Sequence, residues 1–290
     1  MEGAQPSFVG RVTERRAAVG AVERLRAESA GALVAIVGDG GIGKTRLCEE
    51  VLAAARERGI PSGYAACPEA AALAALAPWS MLLAQVSVDS GALTDPLEDG
   101  DPLRSRERRF TEVAAQLRAA SDAAPMTLVL DDFHWADEAS IAMLNHVAPL
   151  VRTMAVVLVV ALRDEPGAAL DDVLAGLRRH GTVLRLGGLA PREVAALAAD
   201  TAGRALPVGL VAVLAEQTAG NPLFVTELAR DLAAREGDVG AGMLPAPASI
   251  DTVFRSRLAR CPASARAVAD VVALAGEPAT ADLLSGVLGL

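Results

Sequence analysis

A chain of 290 residues, 52% of them hydrophobic, is long and apolar enough to bury one large α/β core with a smaller appendage, which excludes a disordered polymer. Its net charge of −9 opposes loose attraction to nucleic acid or to an anionic membrane. Three scattered cysteines, Cys48, Cys67 and Cys261, fit neither a disulfide framework nor a metal cluster and are expected to be reduced core residues. The longest apolar run, MAVVLVVAL at 154–162, is far too short to span a bilayer, and the N-terminus lacks the basic start and apolar stretch of a signal peptide. A soluble, cytoplasmic protein without membrane partners is expected.

In chain order, the first strong element is ALVAIV at 32–37, an aliphatic run ending in glycines, as in a strand buried on both faces of a parallel sheet. KTRLCEEVLAAARERG then reads as an amphipathic helix that stops at Gly59 ahead of Pro61. SGYAAC at 62–67 reads as a short strand. Residues 68–126 read as helices and loops, with a break at 89–102 followed by the amphipathic RSRERRFTEVAAQLRAA. MTLVLDD at 126–132, AVVLVVAL at 155–162 and TVLRL at 182–186 supply three more strands with helices between them. Alternation of this kind predicts a parallel, doubly wound sheet. From about 188 onward the segments are helical without intervening strands, which predicts a small bundle to about 237. A Gly/Pro-rich stretch at 237–249 reads as a linker, and further helices are expected beyond it.

Between the first strand and its helix lies GDGGIGKTR, residues 38–46, which fits the phosphate-loop pattern G-x-x-x-x-G-K-[ST]. Gly38, Asp39, Gly40, Gly41, Ile42, Gly43, Lys44, Thr45 and Arg46 are therefore the expected nucleotide-binding residues. Glycines let the backbone curl with its N–H groups inward, and the following helix adds partial positive charge. Lys44 is the only lysine among 27 basic residues. A compact ammonium suits a loop wrapped round a phosphate, whereas the broad guanidinium fork does not. Lys44 is expected to reach the outer phosphates, and Thr45 to place its hydroxyl on Mg2+.

LVLDDFHWAD at 128–137 is an aliphatic strand ending in two acids. Asp131 suits the acid that holds Mg2+, directly or through water, and Asp132 the base that polarises an attacking water. Asp137 is expected to cap the next helix. His134 and Trp135 are expected to pack the loop, and nothing is assigned to His146 or His180. Arg163, at the end of a predicted strand, is expected to contact a γ-phosphate rather than serve only as a surface partner of Asp164 or Glu165.

These motifs, in this order, resemble a family. FVGR at 8–11 with Glu14, the phosphate loop, LVLDDFHWAD, ALRDEP, GNPLFVTEL at 220–228 and LPAPASIDTVFRSRLARCPASARAV are similar to the AAA-like ATPase module of the STAND class. The resemblance is greatest to large LuxR-type bacterial transcriptional regulators and to related adenylate cyclase and kinase-associated proteins. It implies an α/β P-loop NTPase of the ASCE/AAA-like type with a parallel five-stranded sheet over 1–187, a helical lid at 188–237, and a linker with the start of a winged-helix domain at 238–290. It further implies ATP or ADP and Mg2+ as cofactors, with Val9, Gly10 and Arg11 against adenine and ribose and Pro222 closing over the nucleotide.

Val12 stands where the family usually has an acid, and Phe133 replaces a usual leucine. Family members continue through a full winged helix, a repeat sensor and an effector such as a DNA-binding helix-turn-helix, and this chain is expected to stop inside the winged helix. DNA would then be a partner only through a domain outside it. A slowly hydrolysing ATP switch that self-associates in the ATP state is the expected activity. Its rivals are a scaffold stabilised by nucleotide, and a P-loop kinase or motor.

Overall fold

The computed structural model describes residues 8–68, 74–88, 102–164, 168–234, 266–268 and 270–272. Residues 8–189 form one compact unit, and the described residues from Ala190 onward belong to another. In the first unit, five strands run β1 (Ala32–Gly38), β2 (Ser62–Ala66), β3 (Met126–Asp131), β4 (Val156–Leu162) and β5 (Thr182–Leu186). They form one sheet in the order β2-β3-β4-β1-β5, with every pairing parallel. The helices are α1 (Val12–Glu28), α2 (Lys44–Glu57), α3 (Ala77–Gln85), α4 (Pro102–Ala123), α5 (Glu138–Val147) and α6 (Ala168–His180).

The continuous aliphatic strands follow from two buried faces. Along β1, Leu33, Ala35 and Val37 pack into a core with Trp79, Leu82, Phe110, Leu117, Met143 and Leu177 from α3 to α6. Val34 and Ile36 face the opposite core, built on Val22 and Leu25 of α1 and Leu47 and Val51 of α2. Each of the valine, leucine, isoleucine, phenylalanine and methionine side chains contributes ~1.5–3 kcal/mol on burial. β4 lies at the centre and is buried along its whole length.

Three local differences from the sequence expectation have physical causes. Helix α5 ends at Val147 although Ala148 keeps a right-handed helical backbone, because Pro149 has no N–H with which to continue the helical ladder. The strand ends at Asp131, since Asp132 takes a left-handed backbone with φ 48°. Helix α1, for which the sequence reading made no assignment, buries Ala18, Ala21, Val22 and Leu25 at helical spacing.

β2 lies at an edge of the sheet, and a side chain covers part of it. The Gln85 amide at the end of α3 donates to Tyr64 O at 2.7 Å and accepts from Tyr64 N at 3.0 Å. In this way it takes the place of a strand partner.

The second unit holds α7 (Pro191–Ala202), α8 (Val208–Thr218) and α9 (Pro222–Ala234), packed through Val194, Leu197, Leu210, Leu214 and Val225. Glu193 accepts the Ala190 N–H at 2.9 Å, and Asn221 Oδ1 accepts that of Leu223 at 3.1 Å, so side chains satisfy two helix starts. The expected linker and winged helix fall outside the described residues, apart from helical backbone at 266–268 and 270–272. Cys261 also lies outside them. Among the described residues no helix is long and apolar enough to cross a membrane.

Candidate functional site

The strand order places three sequence signals side by side. β4 is inserted between β1 and β3, so the phosphate loop after β1, the acids after β3 and Arg163 after β4 all emerge on the carboxyl edge of adjacent strands. With neighbouring strands about 4.8 Å apart, loop and acids stand roughly 10 Å apart with the β4 terminus between them.

The loop needs its glycines for two separate reasons. A Cβ on Gly38 would stand 2.8 Å from the Leu186 carbonyl oxygen of β5, so the close approach of the two strands there excludes a side chain. Gly43 caps α2 at φ 103°, a backbone that side chains rarely adopt. Lys44 is 6% exposed and folds back along the loop, its Nζ donating to Gly38 O and Asp39 O at 2.9 Å each. Burial lowers its pKa; Asp132 opposes that shift, Arg163 adds to it, and Asp131 and Asp39 oppose it. The charges felt by the one lysine are thus those of the expected acids and arginine. Thr45 is exposed in the first turn of α2, and Arg46 pairs with Glu49 at 2.7 Å.

Asp131 is 1% exposed at the end of β3. Its Oδ1 accepts the Asp132 N–H at 2.8 Å and its Oδ2 accepts the Tyr64 hydroxyl at 3.1 Å. Tyr64 has its pKa raised, first by burial and then by the charge and hydrogen bond of Asp131, so the phenol remains a donor. Burial likewise pushes Cys67 up to about 12 and Cys48 well above the ordinary thiol value, and both are free and buried as expected. Asp137 caps α5, accepting Ser140 N at 3.0 Å and Ser140 Oγ at 2.6 Å.

His134 and Trp135 pack on each other in the loop as expected, their ring centroids 5.0 Å apart. Phe133 beside them is buried at 1% exposure, while Trp135 keeps 39% exposure and lies beneath Arg163, whose Cζ is 5.8 Å from the ring centroid. The Arg163 guanidinium also borders the loop, since a Cβ on Gly40 would stand 3.9 Å from its Cζ and Nη2. The neighbouring Asp164 pairs with Arg185 of β5.

Arg11 precedes α1 in a left-handed backbone and is 8% exposed. Its Nη2 donates to Ile42 O at 3.1 Å and to Gly187 O, tying the start of the unit to the loop and to the end of β5. Val9 and Gly10 are half-buried beside it. Val12, where an acid was expected, is 62% exposed. A groove of about 650 Å³ runs along α1 from Phe8 past Arg15 to Glu50 of α2, and no phosphate-loop residue lines it. Pro222 begins α9 in the second unit.

The oxygen donors fit magnesium. Among the described residues no cluster of three or more His, Cys, Asp or Glu side chains could hold an ion by itself. Magnesium is usually held by one or two carboxylates together with phosphate oxygens and water, and Asp131, Asp132 and the Thr45 hydroxyl offer that kind of set.

Comparison with known proteins agrees with this geometry. The AAA ATPase domain family matches residues 7–160, more than half of the chain. The chain belongs to that family. Its nucleotide-binding, P-loop character is accordingly that of an AAA ATPase domain. Among solved structures, this domain is similar to a Signal Transduction ATPase with Numerous Domains protein carrying a tetratricopeptide repeat sensor, from Pyrococcus horikoshii. That match has 16% identity and a TM-score of 0.52 over 96% of this chain, but the chain spans only 36% of that protein. It is similar also to CDC6P from Pyrobaculum aerophilum, at 14% identity and TM-score 0.51, covering 77% of this chain and 62% of that one. The ORC1 protein of Aeropyrum pernix, solved in complex with DNA, matches at 15% identity and TM-score 0.51, covering 98% and 78%. At such identities the likeness is one of fold. No curated protein matches the chain in sequence.

Sequence reading missed Tyr64 and the contact of Trp135 with Arg163. Tyr64 left a usable signal in being the chain's only tyrosine, placed in a predicted strand, but its partner lies 67 residues away.

Proposed function

We propose that this AAA ATPase domain is a magnesium-dependent ATP-binding switch that hydrolyses slowly, its ATP and ADP states differing in domain packing and self-association. The observation that carries the reading is the strand order, which brings the phosphate loop, Asp131, Asp132 and Arg163 to one carboxyl edge of the sheet. In this reading the backbone of 38–46 cradles the phosphates and Lys44 leaves its two carbonyl acceptors for phosphate oxygens. Thr45 and Asp131 hold the ion, which neutralises phosphate charge when bound. Asp132 orients and polarises water, and Arg163, released from Trp135, contacts the γ-phosphate.

By the STAND resemblance, Val9, Gly10 and Arg11 border the base and ribose, and Pro222 closes from the lid. The output is transcription control of the LuxR type, through a DNA-binding effector beyond residue 290. The rival readings, a nucleotide-stabilised scaffold and a P-loop kinase, gain no separate support from the site.

Calorimetry with ATP and with ADP in magnesium tests the proposal. Lys44→Ala is expected to weaken binding at least about tenfold, a loss of about 1.4 kcal/mol. Absence of binding by the intact, folded chain would refute the proposal. Phosphate released slowly, and no faster with hydroxyl acceptors, separates the switch from a kinase.

A further inference from the structure

We infer that Tyr64 is a positioning residue for Asp131: its hydroxyl fixes the carboxylate so that the remaining lone pairs face the nucleotide-bound magnesium ion. The inference rests on the proposed role of Asp131 in holding that ion.

An ionised carboxylate accepts about four hydrogen bonds, and Asp131 is too buried for bulk water to supply them. The two donors identified bind one oxygen each. Asp132 N–H binds Oδ1 at 2.8 Å as a consequence of the left-handed turn that follows the strand. Tyr64 binds Oδ2 at 3.1 Å from a different strand. Held at both oxygens, the carboxylate cannot rotate without breaking a charge-assisted bond.

The register explains why a tyrosine does this from two residues away. Ala66 pairs with Asp131 and Tyr64 with Val129. Both lie on one face of β2, and the methyl of Ala66 leaves room for a long side chain from Tyr64 to reach along the strand to the carboxyl edge. An edge strand would ordinarily be a loose mount for such a contact. Here the Gln85 amide clamps Tyr64 at both its N–H and its carbonyl, at 3.0 and 2.7 Å, and is itself tied to Met81 O at 2.9 Å. Gln85, Tyr64 and Asp131 thus form a continuous chain of hydrogen bonds from α3 to the acid site.

The test measures affinity for a non-hydrolysable ATP analogue in magnesium and in EDTA, the ratio giving the contribution of the ion. Asp131→Asn is expected to remove most of that ratio. Tyr64→Phe, which keeps the ring, is expected to lower it about tenfold or more while leaving metal-free affinity unchanged, as loss of a ligand's supporting partner does. Combined with Asp131→Asn, Tyr64→Phe is expected to add less than about a twofold further change, because the two act as one unit. A full ratio in Tyr64→Phe beside a lost ratio in Asp131→Asn would overturn the inference and leave the reading of Asp131 standing. A full ratio in Asp131→Asn would overturn both.

The intact chain provides a second readout that does not depend on Tyr64→Phe folding. Labelling at tyrosine Cζ gives a single resonance, because Tyr64 is the only tyrosine. Adding magnesium to the analogue-bound chain is expected to shift it, and an unchanged resonance would overturn the inference.

Discussion

The two ends of the site, at β1 and at β3, are built on different plans. At the β1 end nine consecutive residues supply most of the device, glycines, a helix start and a lysine folded onto the carbonyls of its own loop, with Arg11 tied in from outside at Ile42 O. At the β3 end the acids are consecutive and the Asp132 N–H holds Asp131 locally, but the other side chains gathered around them come from further away. Tyr64 comes from β2, Arg163 from beyond β4, and Trp135 from the turn that Asp132 begins. A locally built half tolerates change in its surroundings and fails when its own backbone is altered. A half assembled from several strands is expected to show the reverse.

The sharpest separation comes from Asp132→Asn, a change of charge with almost none of shape. Single-turnover phosphate release is expected to fall by about 10²–10⁴-fold, the usual worth of a positioned general base. ATP affinity, set mainly at the β1 end, stays close to that of the unaltered chain in the same calorimetry. Equal losses in binding and turnover would show that the two ends are not separable.

Gly38→Ala attacks the backbone of the β1 end. Its methyl would press on the Leu186 carbonyl oxygen, which belongs to a neighbouring strand and cannot swing aside. Overpacking of this kind costs ~1–3 kcal/mol. The melting temperature is expected to fall by several degrees, at about 2–4 °C per kcal/mol for a unit of this size, and an unchanged value would contradict the close approach.

Removing the ring beneath Arg163 by Trp135→Ala is a smaller change. The cation–π contact is worth ~0.5–1 kcal/mol at an exposed position. Its loss removes one contact of the guanidinium, so the preference for ATP over ADP is expected to shift by about two- to fivefold with the melting temperature nearly constant. Displacement titrations with the two nucleotides would measure it.

The last effect vanishes at neutral pH and concerns Cys67 under alkaline conditions. Its thiol titrates at about 12 in the folded chain against 9.0 ordinarily. Between those values the unfolded chain has lost a proton that the folded chain keeps, so stability, present in full below about pH 9, falls as pH rises toward 12. Denaturant unfolding at increasing pH should show this slope, and Cys67→Ala should reduce it.

The same contrast governed what could be read in advance. The strands were legible because burial on both faces leaves a continuous aliphatic run, and the phosphate loop because its chemistry is contiguous. Helix α1 went unread although Ala18, Ala21, Val22 and Leu25 carry the helical spacing, because alanine marks a buried face weakly. Tyr64 could not be linked to Asp131 without the parallel register of β2 on β3. The contact of Trp135 with Arg163 could not be read because a turn residue's direction depends on the left-handed backbone of Asp132, which an aspartate does not announce.

The clamp on β2 also bears on solubility. An uncovered edge strand presents unpaired donors and acceptors to any passing chain, and apolar strands are prone to pair edge to edge. By matching Tyr64 with one donor and one acceptor, the Gln85 amide acts as a strand a single residue long. It closes this stretch of the sheet to foreign strands without adding a surface on which another could grow.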